Sequence, residues 1–172
     1  MANLLRLPYL HHFIRREDVY NNRPHNRNNH HRHNHHKEVK IDHEILMFYD
    51  SNGKVKPEAY DTNAQEISKI FANSPRETNT YTQLRHFYDE VVSLNEKIEE
   101  DPSSFDELLP IIKMLNAKAA YAEGRRKVSK EFVIFISESL KQIETAKDMK
   151  TFKTFFEAVM GFYKATDKGR RS

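Results

Sequence analysis

Cysteine and tryptophan are both missing from this chain. Without a thiol there is no disulfide framework, no thiolate zinc site and no cysteine nucleophile, an absence that fits an intracellular compartment. Only four glycines and six prolines occur in 172 residues, a scarcity that favours long helices over many short strands joined by tight turns. No long apolar run is present either. Met1–Ile14 holds Leu4, Leu5, Leu7 and Leu10, but Arg6 and Pro8 interrupt it, leaving neither a signal-peptide core nor a membrane span. The chain reads as a cytoplasmic protein without membrane contact. Phosphate-cradling glycine loops, GxSxG and HExxH are also lacking. Beyond residue 40 the only histidines are His43 and His86. His86 has Asp89 and Glu90 one turn away, yet no second such motif exists to complete a metal pair in a helical core. These absences argue against an enzyme and against a bound metal or cofactor.

The hydrophobic share is 38%, below the usual ~45–50%, and much of the deficit is local. His25–His36 contains six His, four Asn and two Arg, a composition that cannot bury enough apolar surface to offset ordering entropy. Residues 1–57 are therefore expected to be a largely disordered extension. A small hairpin is conceivable at 45–56 around Asn52-Gly53. Net charge of +3 hides an asymmetry: residues 1–40 carry 8 Lys/Arg against 3 Asp/Glu, residues 41–110 carry 6 against 15, and residues 111–172 carry 14 against 7. The acidic middle and basic end suit an anionic ligand on one face, or charge pairing inside the fold. Set at opposite ends of the molecule, they would also let copies stack.

From Glu58 the period becomes helical. Ala64, Ile67, Ile70 and Phe71 mark a first helix that stops near Asn73-Ser74-Pro75. Thr80 or Thr82 can cap a second, with the stripe Leu84, Phe87, Tyr88, Val91, Leu94 and Ile98. Asp101-Pro102 breaks it, and Ser104 with Glu107 reads as a capping box for a third. That helix would run through Leu108, Ile111, Ile112, Leu115 and Ala119 to Gly124, with Pro110 awkward unless it kinks the rod. Ser129 can cap a fourth (Phe132, Val133, Ile136, Leu140, Ile143). Asp148 can cap a fifth (Phe152, Phe155, Phe156, Val159, Met160, Tyr163). The expected fold is all-α, a compact bundle of about five helices over 58–167, followed by a basic tail at 168–172 that frays. The phenylalanines of the last two helices read as core.

Two stretches carry cations beside aromatic or small residues at helical spacing. One is Thr80-Tyr81-Thr82-Gln83-Leu84-Arg85. In the other, Lys118, Tyr121 and Arg125 share a helical face at i, i+3 and i+7, and Arg126 and Lys127 extend the charge. Cations at a helix C-terminus also complement the helix dipole, and Tyr121 could be core with its hydroxyl at the rim. Arginine forks bind phosphate, and tyrosine supports a sugar or stacks on a base, so the candidate nucleic-acid residues are Gln83, Arg85, Lys118, Tyr121, Arg125, Arg126 and Lys127.

Thr-x-Thr-Gln-Leu-Arg at 80–85, Phe87 and Tyr88, Lys-x-x-Tyr-x-x-Gly-Arg at 118–125, and the helix Phe152 to Tyr163 with Glu157-Ala158-Val159 occur in that order. Together they resemble the small subunit of type III-A CRISPR effector complexes, the Csm complex, over roughly residues 60–166. The resemblance implies a non-catalytic helical bundle. It would stack in several copies beside other subunits and contact guide and target RNA through the backbone, with cleavage left to its neighbours. By position it assigns RNA contact to Gln83, Arg85, Lys118, Tyr121 and Arg125; Arg126 and Lys127 are added from charge. The competing expectation is a homodimeric helical adaptor whose basic face is incidental.

Overall fold

The computed structural model describes residues 41–170. Expectations placed on residues 1–40, the His25–His36 tract among them, lie outside the described residues. Six helices follow one another: α1 (Thr62–Ala72), α2 (Tyr81–Glu100), α3 (Phe105–Lys113), α4 (Leu115–Gly124), α5 (Lys130–Lys141) and α6 (Ala146–Arg170). No β-strand forms among the described residues, so the all-α bundle is the observed architecture. α6 reaches Arg170, inside the tail expected to fray.

The third expected helix is divided. Pro110 lies inside α3 rather than at its start. It has no N–H to give to the preceding turn, and its ring crowds that turn's carbonyl. The rod breaks one turn later at Met114, whose backbone stays helical and bonds back to the carbonyls of Pro110 and Ile111. The capping box expected from Ser104 and Glu107 is also absent. Ser104 sits in a 3-10 turn, Pro102–Ser104, and its hydroxyl donates to the carbonyl of Asp101 at 2.7 Å. A true capping box opens α2: Thr80 Oγ1 accepts from Gln83 N, while Gln83 Oε1 accepts from Thr80 N at 2.9 Å. Ser129 caps α5 as expected. At α6 the expected cap, Asp148, is instead the inner half of a reciprocal pair. Thr145 Oγ1 accepts from Asp148 N at 3.2 Å, and Asp148 Oδ2 accepts from Thr145 N at 2.8 Å.

Segment 41–56 belongs to the packed molecule. Leu46 and Phe48 are fully buried. Gln142 secures them by accepting from Phe48 N at 2.8 Å and donating to the Leu46 carbonyl at 2.9 Å. The hairpin considered for 45–56 is reduced to one antiparallel bridge, Tyr49 with Val55, across a turn where Gly53 takes φ +72°. His43–Leu46 forms a 3-10 turn in place of a strand.

α6 is the axis of the core. α1 and α2 pack along it, and α4 pairs with α5. Three contacts fix α6 antiparallel to α2: Lys150 to Glu99 at 3.1 Å, Phe156 against Tyr88 with ring centroids 5.7 Å apart, and Lys164 over the Tyr81 ring at 4.0 Å. Phe135 of α5 is the hub, with Phe71, Phe132, Phe152, Phe155 and Phe156 all within 6.2 Å of it, centroid to centroid. All six rings are completely buried. Edge-to-face and tilted pairs of this kind add about 0.5–1.5 kcal/mol each beyond the burial itself. The phenylalanine density is core, as its spacing predicts.

Candidate nucleic-acid interface

The geometry of the candidate residues follows from one buried asparagine. Asn79 precedes α2 with φ +55° and no exposed surface. Asparagine tolerates this left-handed conformation better than most residues because its short amide bonds locally. Its Nδ2 donates to Ser74 Oγ and to Ser129 Oγ, both at 3.0 Å, and its Oδ1 accepts from Ser129 N at 2.8 Å. Its backbone N–H donates to the Lys127 carbonyl at 2.9 Å, and its carbonyl accepts from the Tyr163 hydroxyl. Thr78 adds a bond from Oγ1 to the Arg126 carbonyl at 3.3 Å. The end of α1, the start of α2, the α4–α5 turn and α6 are thereby knotted together.

The α4–α5 turn carries Arg125, Arg126 and Lys127, all exposed. Lys127 N bonds the Ala122 carbonyl at 2.9 Å and Arg126 N bonds that of Glu123 at 2.7 Å, the paired closure of a helix C-terminus. Glycine usually occupies the left-handed position of such a closure, yet here Arg126 holds it at φ +58°. Gly124, expected to stop the helix, is its last helical residue.

Gln83 is committed to the capping box, so its side chain is already engaged. Arg85 stands on the side of α2 facing α6. Its Nε donates to Asp89 Oδ1 at 2.6 Å and its guanidinium lies over the Tyr88 ring at 5.6 Å. The Asp89 carboxylate holds the Arg85 pKa above its ordinary value. About half of each partner is solvent-exposed, so the pair is worth only ~0–1 kcal/mol. Lys118 is turned the other way and pairs with Glu90 across the α2–α4 interface, both side chains three-quarters covered. Tyr121 is 54% exposed. Its hydroxyl accepts from Arg125 Nη1 at 3.3 Å, and the Arg125 guanidinium lies 5.9 Å from its ring centroid.

Arg85 and the Arg125–Lys127 turn therefore share one end of α2 but lie on different sides of it. Lys118 is set back along α2 and is engaged with Glu90. Further exposed cations reach the same end, and the sequence reading missed them, Arg76 included. Lys130 opens α5 immediately after the turn, and Lys164 covers Tyr81. An open groove of ≈ 580 Å³ lies beside the turn, lined by the cations Arg76 and Arg126 and the carboxylates Glu77 and Glu123 together with Thr78 and Ser129. The periodicity of α5 and α6 places Lys130 and Lys164 on solvent faces, and Asn79 ties down the residue next to each, Ser129 and Tyr163.

The other end of α2 is acidic. Glu96, Glu100, Asp106 and Glu107 are exposed there and make no ion pair among the described residues. Glu99 pairs with Lys150, which holds its carboxyl below the usual range. Ion pairs Glu90–Lys118 and Glu99–Lys150 join the acidic and basic segments of the sequence within one copy, and neither end is of one sign: exposed Lys97 stands in the last turn of α2, and Glu77 and Glu123 lie beside Arg126. His86 is exposed. Asp89 turns to Arg85 and Glu90 to Lys118. No group of three or more His, Asp or Glu side chains converges as a metal site among the described residues, and none of their helices is long and apolar enough to cross a membrane.

A family model described as Csm2 Type III-A matches residues 54–169. No curated protein and no solved structure matches the chain.

Proposed function

The chain belongs to the Csm2 family of type III-A systems, a small subunit of a multi-subunit effector complex, and from that premise we propose that it is a non-catalytic RNA-binding subunit. It works in the cytoplasm, stacks in several copies beside guide and target RNA, and holds the phosphate backbone without reading bases. Arg85, Tyr121, Arg125, Arg126 and Lys127 supply the contact, with Lys118 at its edge and Gln83 fixing the helix end that presents Arg85. The observation that carries this reading is the Asn79 knot, which gathers cations from separate helices at one end of the molecule. Arginine supports it chemically, because the guanidinium fork donates two parallel hydrogen bonds to a phosphate. The Arg85–Asp89 pair is exposed and weak enough to open in favour of a phosphate.

Such binding depends on counterion release and falls steeply with salt. Changing Arg85, Arg125 and Arg126 together to Ala is expected to flatten the slope of log affinity against log salt by roughly 2 for single-stranded RNA. Circular dichroism should be unchanged, since all three side chains are exposed. An unaltered slope would place the RNA on another surface. Expressing the chain with its genomic neighbours should recover it in a complex with RNA. A salt-insensitive homodimer free of RNA would favour the adaptor instead.

A further inference from the structure

Resting on the RNA reading above, we infer that Asn79 is a positioning residue for the phosphate site, and that Lys130 and Lys164 are members of that site. Four observations lead there. The Asn79 carboxamide makes its bonds to Ser74 and Ser129, on either side of the α2 N-terminus. Its backbone N–H takes the carbonyl of Lys127, inside the cationic turn. Its own carbonyl is held by Tyr163, adjacent to Lys164. Arg85 lies six residues beyond it, in the second turn of α2. One buried residue thus sets where the Arg125–Lys127 turn sits relative to Lys164 and Arg85, although it touches no solvent and can touch no ligand.

Cations spaced along a rigid frame bind a polyanion as one site, because the frame has already met the ordering cost of aligning them. Lys130 carries no ion pair among the described residues, and the partner of Lys164 is the neutral Tyr81 ring. Both ammonium groups therefore remain available to phosphate. Tyr81 holds Lys164 over its face, which limits the directions the ammonium can take. The frame also explains why a buried amide is kept here: an apolar residue would leave Ser129 N without its acceptor.

The test uses the full chain and single-stranded RNA homopolymer, with affinity followed across a salt series. Lys130→Ala combined with Lys164→Ala is expected to weaken binding several-fold and flatten the salt slope by about 1.4, with only the small fall in melting temperature that losing the exposed Lys164–Tyr81 contact brings. Asn79→Gly keeps the left-handed backbone but removes the carboxamide. It is expected to lower affinity and to speed hydrogen exchange at the Arg126 and Lys127 amides, whose own acceptors are in α4. Ile98→Val, at the far end of α2, serves as the control and should lower the melting temperature while leaving affinity and that exchange untouched. If the lysine pair leaves the slope unchanged, or Asn79→Gly leaves both affinity and exchange at parent values, the inference is wrong while RNA binding itself stands. If affinity tracks melting temperature equally in Asn79→Gly and Ile98→Val, Asn79 is structural only. Failure of the unaltered chain to bind RNA at low salt overturns the functional reading and this site with it.

Discussion

Arg126 and Asp148 show how single side chains carry separable burdens in this bundle. Arg126 occupies a left-handed backbone position that penalises any residue with a Cβ. Arg126→Gly removes that strain together with one exposed cation. The expected result is a stability gain of up to ~1 kcal/mol accompanied by weaker RNA binding, two readouts moving in opposite directions. Thermal melts and RNA titrations on the same preparation check it. Asp148 accepts from the Tyr49 hydroxyl at 2.5 Å and from the backbone of Glu144 and Thr145. Partial burial pushes its carboxyl upward, but these hydrogen bonds outweigh it and hold the pKa below the ordinary value. A carboxylate depressed in the folded state contributes stability above its unfolded pKa of about 3.9 and loses it as pH falls through the folded value. Asp148→Asn should therefore cost ~0.5–2 kcal/mol at neutral pH, the range for a lost cap. Its difference from the parent should shrink as the solution is acidified below about pH 4. A difference that stays constant down to pH 2 would mean the charge of Asp148 is not what stabilises the fold. Burial and the same Asp148 bond raise the pKa of Tyr49, so its contribution is complete at neutral pH and is lost only in strong alkali.

Helices α1, α2, α5 and α6 were legible because their apolar residues recur at helical period and their caps are local: Thr80, Ser129 and the Asp101-Pro102 break sit where the sequence puts them. What could not be read locally depends on distant partners. Pro110 could open, kink or end a helix, and the packing of α3 and α4 against different neighbours decides for a break at Met114. Ser104 had two uses, and the 3-10 turn after Asp101 claims it. Leu46 and Phe48 gave no periodic signal, and they are core because Gln142 and the α6 phenylalanines receive them. At the candidate site the cations were legible but their partners were not, since Glu90 finds Lys118 only when α4 lies on α2. Asn79 carried no signal at all: its conformation is imposed by four segments meeting. One element-level contact is open to a direct check. Lys113, at the end of α3, donates to the carbonyls of Leu140 at 2.5 Å and Ile143 at 3.0 Å, adding to the backbone bonds that close the C-terminus of α5. Lys113→Met should cost about 1.5–3 kcal/mol, the scale of hydrogen bonds from a charged donor. Hydrogen exchange should quicken first in the last turn of α5, and an unchanged melting temperature would show that water replaces the lysine at no loss.

For the whole molecule the phenylalanine hub sets the scale of stability. Phe135→Ala is expected to cost ~3–5 kcal/mol, a large part of the 5–15 kcal/mol that holds a typical domain together. Unfolding in urea should show a much lower midpoint. A loss under 1 kcal/mol would mean the five rings around it can close the cavity. The charge separation along α2 has a different kind of consequence. A helix of 20 residues spans about 30 Å, with Arg85 and the Arg125–Lys127 turn toward one end and Glu96, Glu100, Asp106 and Glu107 toward the other, an excess of each sign that Glu123 and Lys97 only dilute, while the net charge is only +3. The chain is thus less an attractor of anions than a compass needle. Near a polyanion it feels a torque, confined by salt to the last ~8 Å of approach, that turns its cationic end inward. Each copy arriving at the same strand would be turned the same way before it touches, so a row of subunits would inherit a common heading from the field and not from contacts between them.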